Sequence, residues 1–177
     1  MTRSILLHKC FLSRDPSTLV KAFTVYVRPM LEYCSCVWSP HLVQDIESIE
    51  RVQRRFTKRL RGLSGFTYEQ RLQSTGLERL DVRRLRANLI STYKIVFGLT
   101  CLNFNELFQF SPSQRTRGHE YKLRVVGASS ETRKHYFAVR VVLPWNGLPL
   151  NTDFSSISHF KNCIEKLDLT HHCIKLK

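Results

Sequence analysis

Ile46, Ile49, Val52, Phe56, Leu60 and Leu63 recur at intervals of 3, 3, 4, 4 and 3 residues. That rhythm is the period of an α-helix with one apolar face. A strand cannot present it, because successive strand side chains point to opposite sides. The spacing predicts a helix over 45–60. At about 100° per residue, Arg51, Arg54, Arg55, Lys58, Arg59 and Arg61 fall on the face opposite the stripe. Asp45, Glu47 and Glu50 occupy the first turns, where the helix dipole favours negative charge. Beyond Glu50 the helix is purely basic.

Other segments repeat the helical period. Asp15-Pro16-Ser17-Thr18 is a helix start, with Asp15 able to cap free N–H groups and Pro16 suited to the first helical position. Leu19, Val20, Phe23, Tyr26 and Val27 follow at helical spacing until Pro29, which ends or kinks the helix. An apolar stretch then runs from Met30 to Trp38, and Ser39-Pro40-His41 is a break. Thr67 with Gln70 forms a capping-box pattern for a short helix that stops at Gly76. Val82, Leu85, Leu89, Tyr93 and Val96 predict a second basic helix over 81–97, carrying Arg83, Arg84, Arg86 and Lys94 and closed by Gly98. Residues 99–132 are irregular, with a loop at 111–118 and alternation at 121–125 that fits a short strand. A helix is expected over 133–145, interrupted near its end by Pro144, and another from Ile157 through Leu167. The fold class expected is therefore mainly α, with an irregular C-terminal part holding at most a short strand or hairpin. The expected organisation is 1–98, a linker at 99–132, and a helical tail at 133–177.

Of 177 residues, 28 are Lys or Arg and 14 are Asp or Glu, a formal net charge of +14. Such a balance points to a polyanionic partner: nucleic acid first, an anionic surface second. Hydrophobic residues make up 42% of the chain, enough to bury a core and to exclude a wholly disordered one. No apolar run reaches the length of a membrane span, and Ile5, Leu6 and Leu7 are too few for a signal-peptide core. The expected setting is intracellular, nuclear or cytoplasmic, with no membrane partner. The six cysteines show no repeated spacing and are read as free thiols or small buried groups.

Catalytic and metal chemistry find little support. Asp15, Asp45, Asp81, Asp153 and Asp168 are dispersed, whereas two-metal phosphoryl transfer needs carboxylates gathered around ions about 4 Å apart. No Gly-rich phosphate loop occurs. Cys34-x-Cys36 is tighter than a CxxC zinc turn, and Cys163, His171, His172 and Cys173 fit no zinc-knuckle spacing. The expectation is no catalytic residue, no metal site and no cofactor. What remains is the one-signed helical face. Solvated faces normally mix charges, so this one reads as a phosphate contact that positions a duplex without reading its sequence. Phe66, Tyr68 and Tyr93 are aromatics that can stack on bases, although core packing is their simpler use, as it is for Trp38 and Trp145.

The string Tyr26-Val27-Arg28-Pro29-Met30-Leu31-Glu32-Tyr33, followed by Val37-Trp38-Ser39-Pro40-His41, closely resembles the region downstream of the polymerase palm in non-LTR (LINE, jockey-like) retrotransposon reverse transcriptases. The likeness continues through Glu50-Arg51-Val52-Gln53-Arg54-Arg55-Phe56-Thr57-Lys58, Tyr68-Glu69-Gln70-Arg71-Leu72, Gly76-Leu77, Leu80, Arg83-Arg84-Leu85-Arg86, Leu89-Ile90 and Tyr93-Lys94-Ile95. Phe137-x-x-Arg140-Val141-Val142, Trp145-Asn146-x-Leu148-Pro149 and Ser158-x-Phe160-Lys161 look like the family's tail. The resemblance implies a helical thumb and C-terminal region that grips template–primer duplex. The family's paired catalytic aspartates, which hold magnesium, lie upstream and have no counterpart in this sequence. Met1 would then be an internal methionine or the start of a truncated copy.

On this reading the chain is a truncated reverse-transcriptase-like protein of a mobile element that is not itself an enzyme. Its expected partners are RNA or RNA–DNA hybrid duplex and the missing palm and fingers. Its expected contacts are Arg51, Arg54, Arg55, Lys58 and Arg59, with Arg83, Arg84 and Arg86 as a second line. The alternatives are a mobile-element remnant without activity, or a basic module for nucleic acid or anionic surfaces.

Overall fold

The computed structural model describes residues 7, 10–112 and 118–173, and in these the protein is mainly α. They form two compact units. The described residues up to Cys34 with Pro40–Arg83 make the first, and Ser35–Ser39 with Arg84 onward make the second. The division thus falls inside one helix, between Arg83 and Arg84.

In the first unit, α1 (Pro16–Tyr26) starts as its cap dictates: Thr18 N–H donates to Asp15 Oδ2 at 2.9 Å. The helix ends at Tyr26, just ahead of Pro29, as expected. Pro29 sits in the first turn of a new one, α2 (Arg28–Glu32), where its missing N–H costs nothing. The basic helix, α3, spans Val43–Lys58. Its Phe56 stacks on Phe23 of α1 with ring centroids 4.3 Å apart, inside a core that includes Leu19, Ala22, Val27 and Leu60. Helix α4 (Tyr68–Thr75) carries the full capping box between Thr67 and Gln70, and Gly76 closes it with φ +64°, a conformation that favours glycine. Helix α5 (Leu80–Val96) follows.

The second unit is built around aromatics. Trp145, Phe160 and Tyr93 are buried, with Phe154 packed among them at centroid separations of 5.4 to 6.5 Å. Trp145 Nε1–H donates to Tyr121 O, and the Asn146 amide both accepts from Leu123 N–H and donates to Leu123 O. This holds the 121–125 segment, which makes one isolated antiparallel bridge, Leu123 to Phe110, and no strand is formed among the described residues. The helix expected over 133–145 is three short helices, Glu131–Lys134, Phe137–Arg140 and Val142–Asn146. The last amphipathic helix, Ile157–Lys166, is capped by Ser156 and buries Phe160 and Ile164.

No described helix is long and apolar enough to cross a membrane. No disulfide joins any of the six cysteines. Part of the loop expected at 111–118 lies outside the described residues, as do Ile5 and Leu6.

Candidate nucleic-acid interface

Which way α3 faces is decided by its polar residues as much as by its apolar stripe. Ile46, Phe56 and Leu60 are buried as the spacing requires, but Ile49 and Val52 are only half-buried. The buried sector is turned toward Glu50, Gln53 and Thr57, a second row at helical spacing whose exposures are 1%, 0% and 0%. Buried polar groups must be hydrogen-bonded or they cost free energy, and these three find partners on other elements.

Glu50 accepts from the Tyr68 hydroxyl through Oε1 and from Leu80 N–H through Oε2, the latter at 2.9 Å. Gln53 donates from Nε2 to Tyr68 Oη at 3.1 Å and to Glu78 O at 2.9 Å. The Arg71 guanidinium, itself 5% exposed, bridges Thr57 Oγ1 and Phe66 O. Burial pushes the Glu50 carboxyl above its usual range, against the lowering effect of its two hydrogen bonds. Burial, then the neighbouring Glu50 charge, pushes the Tyr68 hydroxyl far above its usual range, so it stays a donor. Glu50 is therefore not an exposed acid favoured by the helix dipole. It ties α3 to α4 and to the first N–H groups of α5.

With that rotation fixed, Arg51, Arg55, Lys58, Arg59 and Arg61 are exposed, and no ion pair engages them among the described residues. Arg51, Arg55 and Lys58 lie within about 60° of arc on α3. Arg54 is half-buried with its guanidinium 5.0 Å from the Tyr68 ring centre. Three of the unit's acids are committed elsewhere, Glu32 to Arg83 and Arg28, Asp81 to Arg79 and Glu50 to the buried network, while Glu47, half-buried, stands one turn before Arg51. The helix dipole accounts for cations at Arg55 and Lys58, in the last turn, and at the C-cap Arg59, but not for Arg51.

The residues of the second contact line have partners within the protein. Arg83 forms an ion pair with Glu32. Arg84 is 3% exposed; its guanidinium lies 4.1 Å from the Trp38 ring centre and its Nη2 donates to Trp38 O at 2.8 Å. Arg86 donates from Nε to Ile164 O at 3.1 Å. In the same unit as Arg84, Arg140 donates to Ser35 O, Cys36 O and His135 O. The turn at 35–39 is thus clasped by two arginines, a structural use of residues that spacing alone places on a basic face. Replacing Arg84 by Lys is expected to cost about 2 kcal/mol, because an ammonium cannot reproduce the planar stack and fork. Chemical denaturation would measure that loss, and duplex affinity should stay as in the wild type.

Among the aromatics, Tyr68 is spent on Glu50, and Tyr93 is buried with its hydroxyl on Phe154 O. Phe66 is different, being 49% exposed. No group of three or more His, Cys, Asp or Glu among the described residues is placed to hold a metal ion. Ser155, His159 and Asp153 do come together, but Oγ and Oδ2 both face His159 Nδ1, at 3.0 and 3.4 Å. A catalytic triad needs them on opposite ring nitrogens; here they sit at the N-terminal end of the Ile157–Lys166 helix, whose cap is Ser156. No family model, curated protein or solved structure matches this chain.

Proposed function

We propose that the chain binds the phosphate backbone of an RNA or RNA–DNA template–primer duplex without reading its sequence, as the thumb-like part of a retrotransposon reverse-transcriptase-like protein. The contacts are Arg51, Arg55, Lys58, Arg59 and Arg61, with Arg54 behind them. Arg83, Arg84 and Arg86 leave the reading, and no catalytic residue is assigned to the chain. The observation that carries it is the cluster of exposed cations, without an ion pair among the described residues, from Arg51 to the end of α3 and in the turn after it, held outward by a buried polar network. Five cations gathered this way repel one another, and a polyanion relieves that repulsion while releasing its own counterions. The wider resemblance to the retrotransposon enzymes supplies the kind of duplex.

Salt dependence tests this reading. Anisotropy of a labelled RNA–DNA hybrid should give a log–log slope of about −4.5 for five phosphate contacts, a loss of roughly 500-fold in affinity between 50 and 200 mM salt. A flat dependence would overturn the proposal. Stronger binding to anionic liposomes than to duplex at equal salt would transfer the face to a membrane surface.

A further inference from the structure

The backbone after α3 does not wander. Leu60 N–H donates to Thr57 O, Leu63 N–H to Leu60 O and Phe66 N–H to Leu63 O, so the chain descends in successive turns directly from the helix end. Leu60 is in the core and Leu63 packs against it. Phe66 is then fastened from below, because the buried Arg71 guanidinium holds Phe66 O and Thr57 Oγ1 at once. One guanidinium therefore joins the Phe66 backbone to the last turn of α3, next to Lys58 and Arg59. The ring of Phe66 stays half in water, whereas Leu60 is buried and Leu63 is half-buried against the core. Isolated exposed aromatics are common on protein surfaces, but this one is presented on a clamped backbone at the edge of a cationic face. Tyr26 and Tyr33, also exposed, have no such connection to α3.

An aromatic ring beside phosphate-binding cations is the combination that binds unpaired nucleotides, since every base has a π-face to stack on. A continuous duplex hides those faces within its own stack, and only an unpaired nucleotide offers one. Building on the nucleic-acid reading above, we infer that Phe66 is a stacking platform for an unpaired base, so that the site prefers a duplex bearing a single-stranded extension over a blunt one. The cations then track the backbone, and Phe66 marks where pairing stops.

The test uses the whole chain and three labelled RNA–DNA hybrids at one salt concentration: blunt, with a short single-stranded extension, and with the same extension made abasic. The abasic probe keeps the added phosphates and removes the π-faces. Wild type should bind the base-bearing extension at least about fivefold more tightly than the abasic one. Phe66→Ala should erase that difference and leave blunt-duplex affinity unchanged, and Phe66→Trp should restore it with quenching of the new indole's fluorescence. Circular dichroism confirms that both variants keep their helices. Equal binding of base-bearing and abasic extensions by wild type overturns the inference, as does a Phe66→Ala loss that is the same on all three probes. In either case steep, salt-sensitive binding to the blunt hybrid leaves the phosphate reading standing. Absence of binding to every probe overturns both.

Discussion

Reversing four charges at once, Arg51→Glu, Arg55→Glu, Lys58→Glu and Arg59→Glu, is expected to abolish duplex binding while the helices persist. Each lost phosphate contact removes about 0.9 from the log–log salt slope. Losing four of five contacts should therefore take it from about −4.5 to near −1. The new carboxylates also repel phosphate, so the fall at 50 mM salt should exceed 100-fold. The fold's stake in these side chains is confined to the helix dipole at the last turn, about 0.3 to 1 kcal/mol each at the surface: all four are exposed, none is ion-paired among the described residues, and Glu is a good helix former. Arg54 stays unchanged because its guanidinium lies over the Tyr68 ring, and altering it would mix a packing loss with a charge loss. Neutral replacement by Gln at the same four positions should give an intermediate loss, separating removed attraction from added repulsion. Duplex affinity that survives the reversal would remove this face from the proposed function.

The features legible in the sequence are those whose chemistry is complete within a few residues. Asp15 reaches Thr18 N–H, Thr67 and Gln70 satisfy one another, and Gly76 adopts the left-handed turn, all as local spacing requires. The stripe on α3 was legible for the same reason, through Ile46, Phe56 and Leu60. The remainder depended on partners remote in sequence. Glu50 is buried because Leu80 N–H and the Tyr68 hydroxyl reach it across 30 and 18 residues. Arg84 is buried because Trp38 lies beneath it, 46 residues earlier. A charged side chain reads as surface until such a partner is known. One signal was present all the same: Glu50, Gln53 and Thr57 repeat at helical spacing along one edge of the apolar stripe, a polar row where purely solvated positions would show no register. Phe66 illustrates the converse error, an aromatic whose simplest use is the core but whose backbone is pinned at the surface by Arg71.

Glu50→Ala should be among the most destabilising single changes in the first unit. It strips the acceptor from Leu80 N–H and from the Tyr68 hydroxyl in a site shut off from water, and each orphaned donor costs about 1 to 3 kcal/mol. Adding the space left by the missing carboxyl gives a loss of roughly 3 to 5 kcal/mol. Glu50→Gln retains an oxygen for Leu80 N–H and should cost far less, about 1 kcal/mol. Comparing Gln with wild type across pH isolates the charge. Burial raises the Glu50 carboxyl above its unfolded value, so over the interval between the two the folded state holds a proton that the unfolded state has released. Wild-type stability must fall as pH rises through that interval, which opens in the ordinary carboxylate range, at about pH 4.3. The Gln variant lacks this term, so its deficit against wild type should shrink from about pH 4 to about pH 7. Tyr68 does not blur the comparison, since its hydroxyl remains protonated throughout. Urea denaturation of both proteins at a series of pH values would show it, and a deficit that widens with pH would mean that ionised Glu50 is held favourably by its partners. The carboxylate would then fasten α3 more tightly when charged, and the outward set of the basic face would strengthen with rising pH instead of weakening.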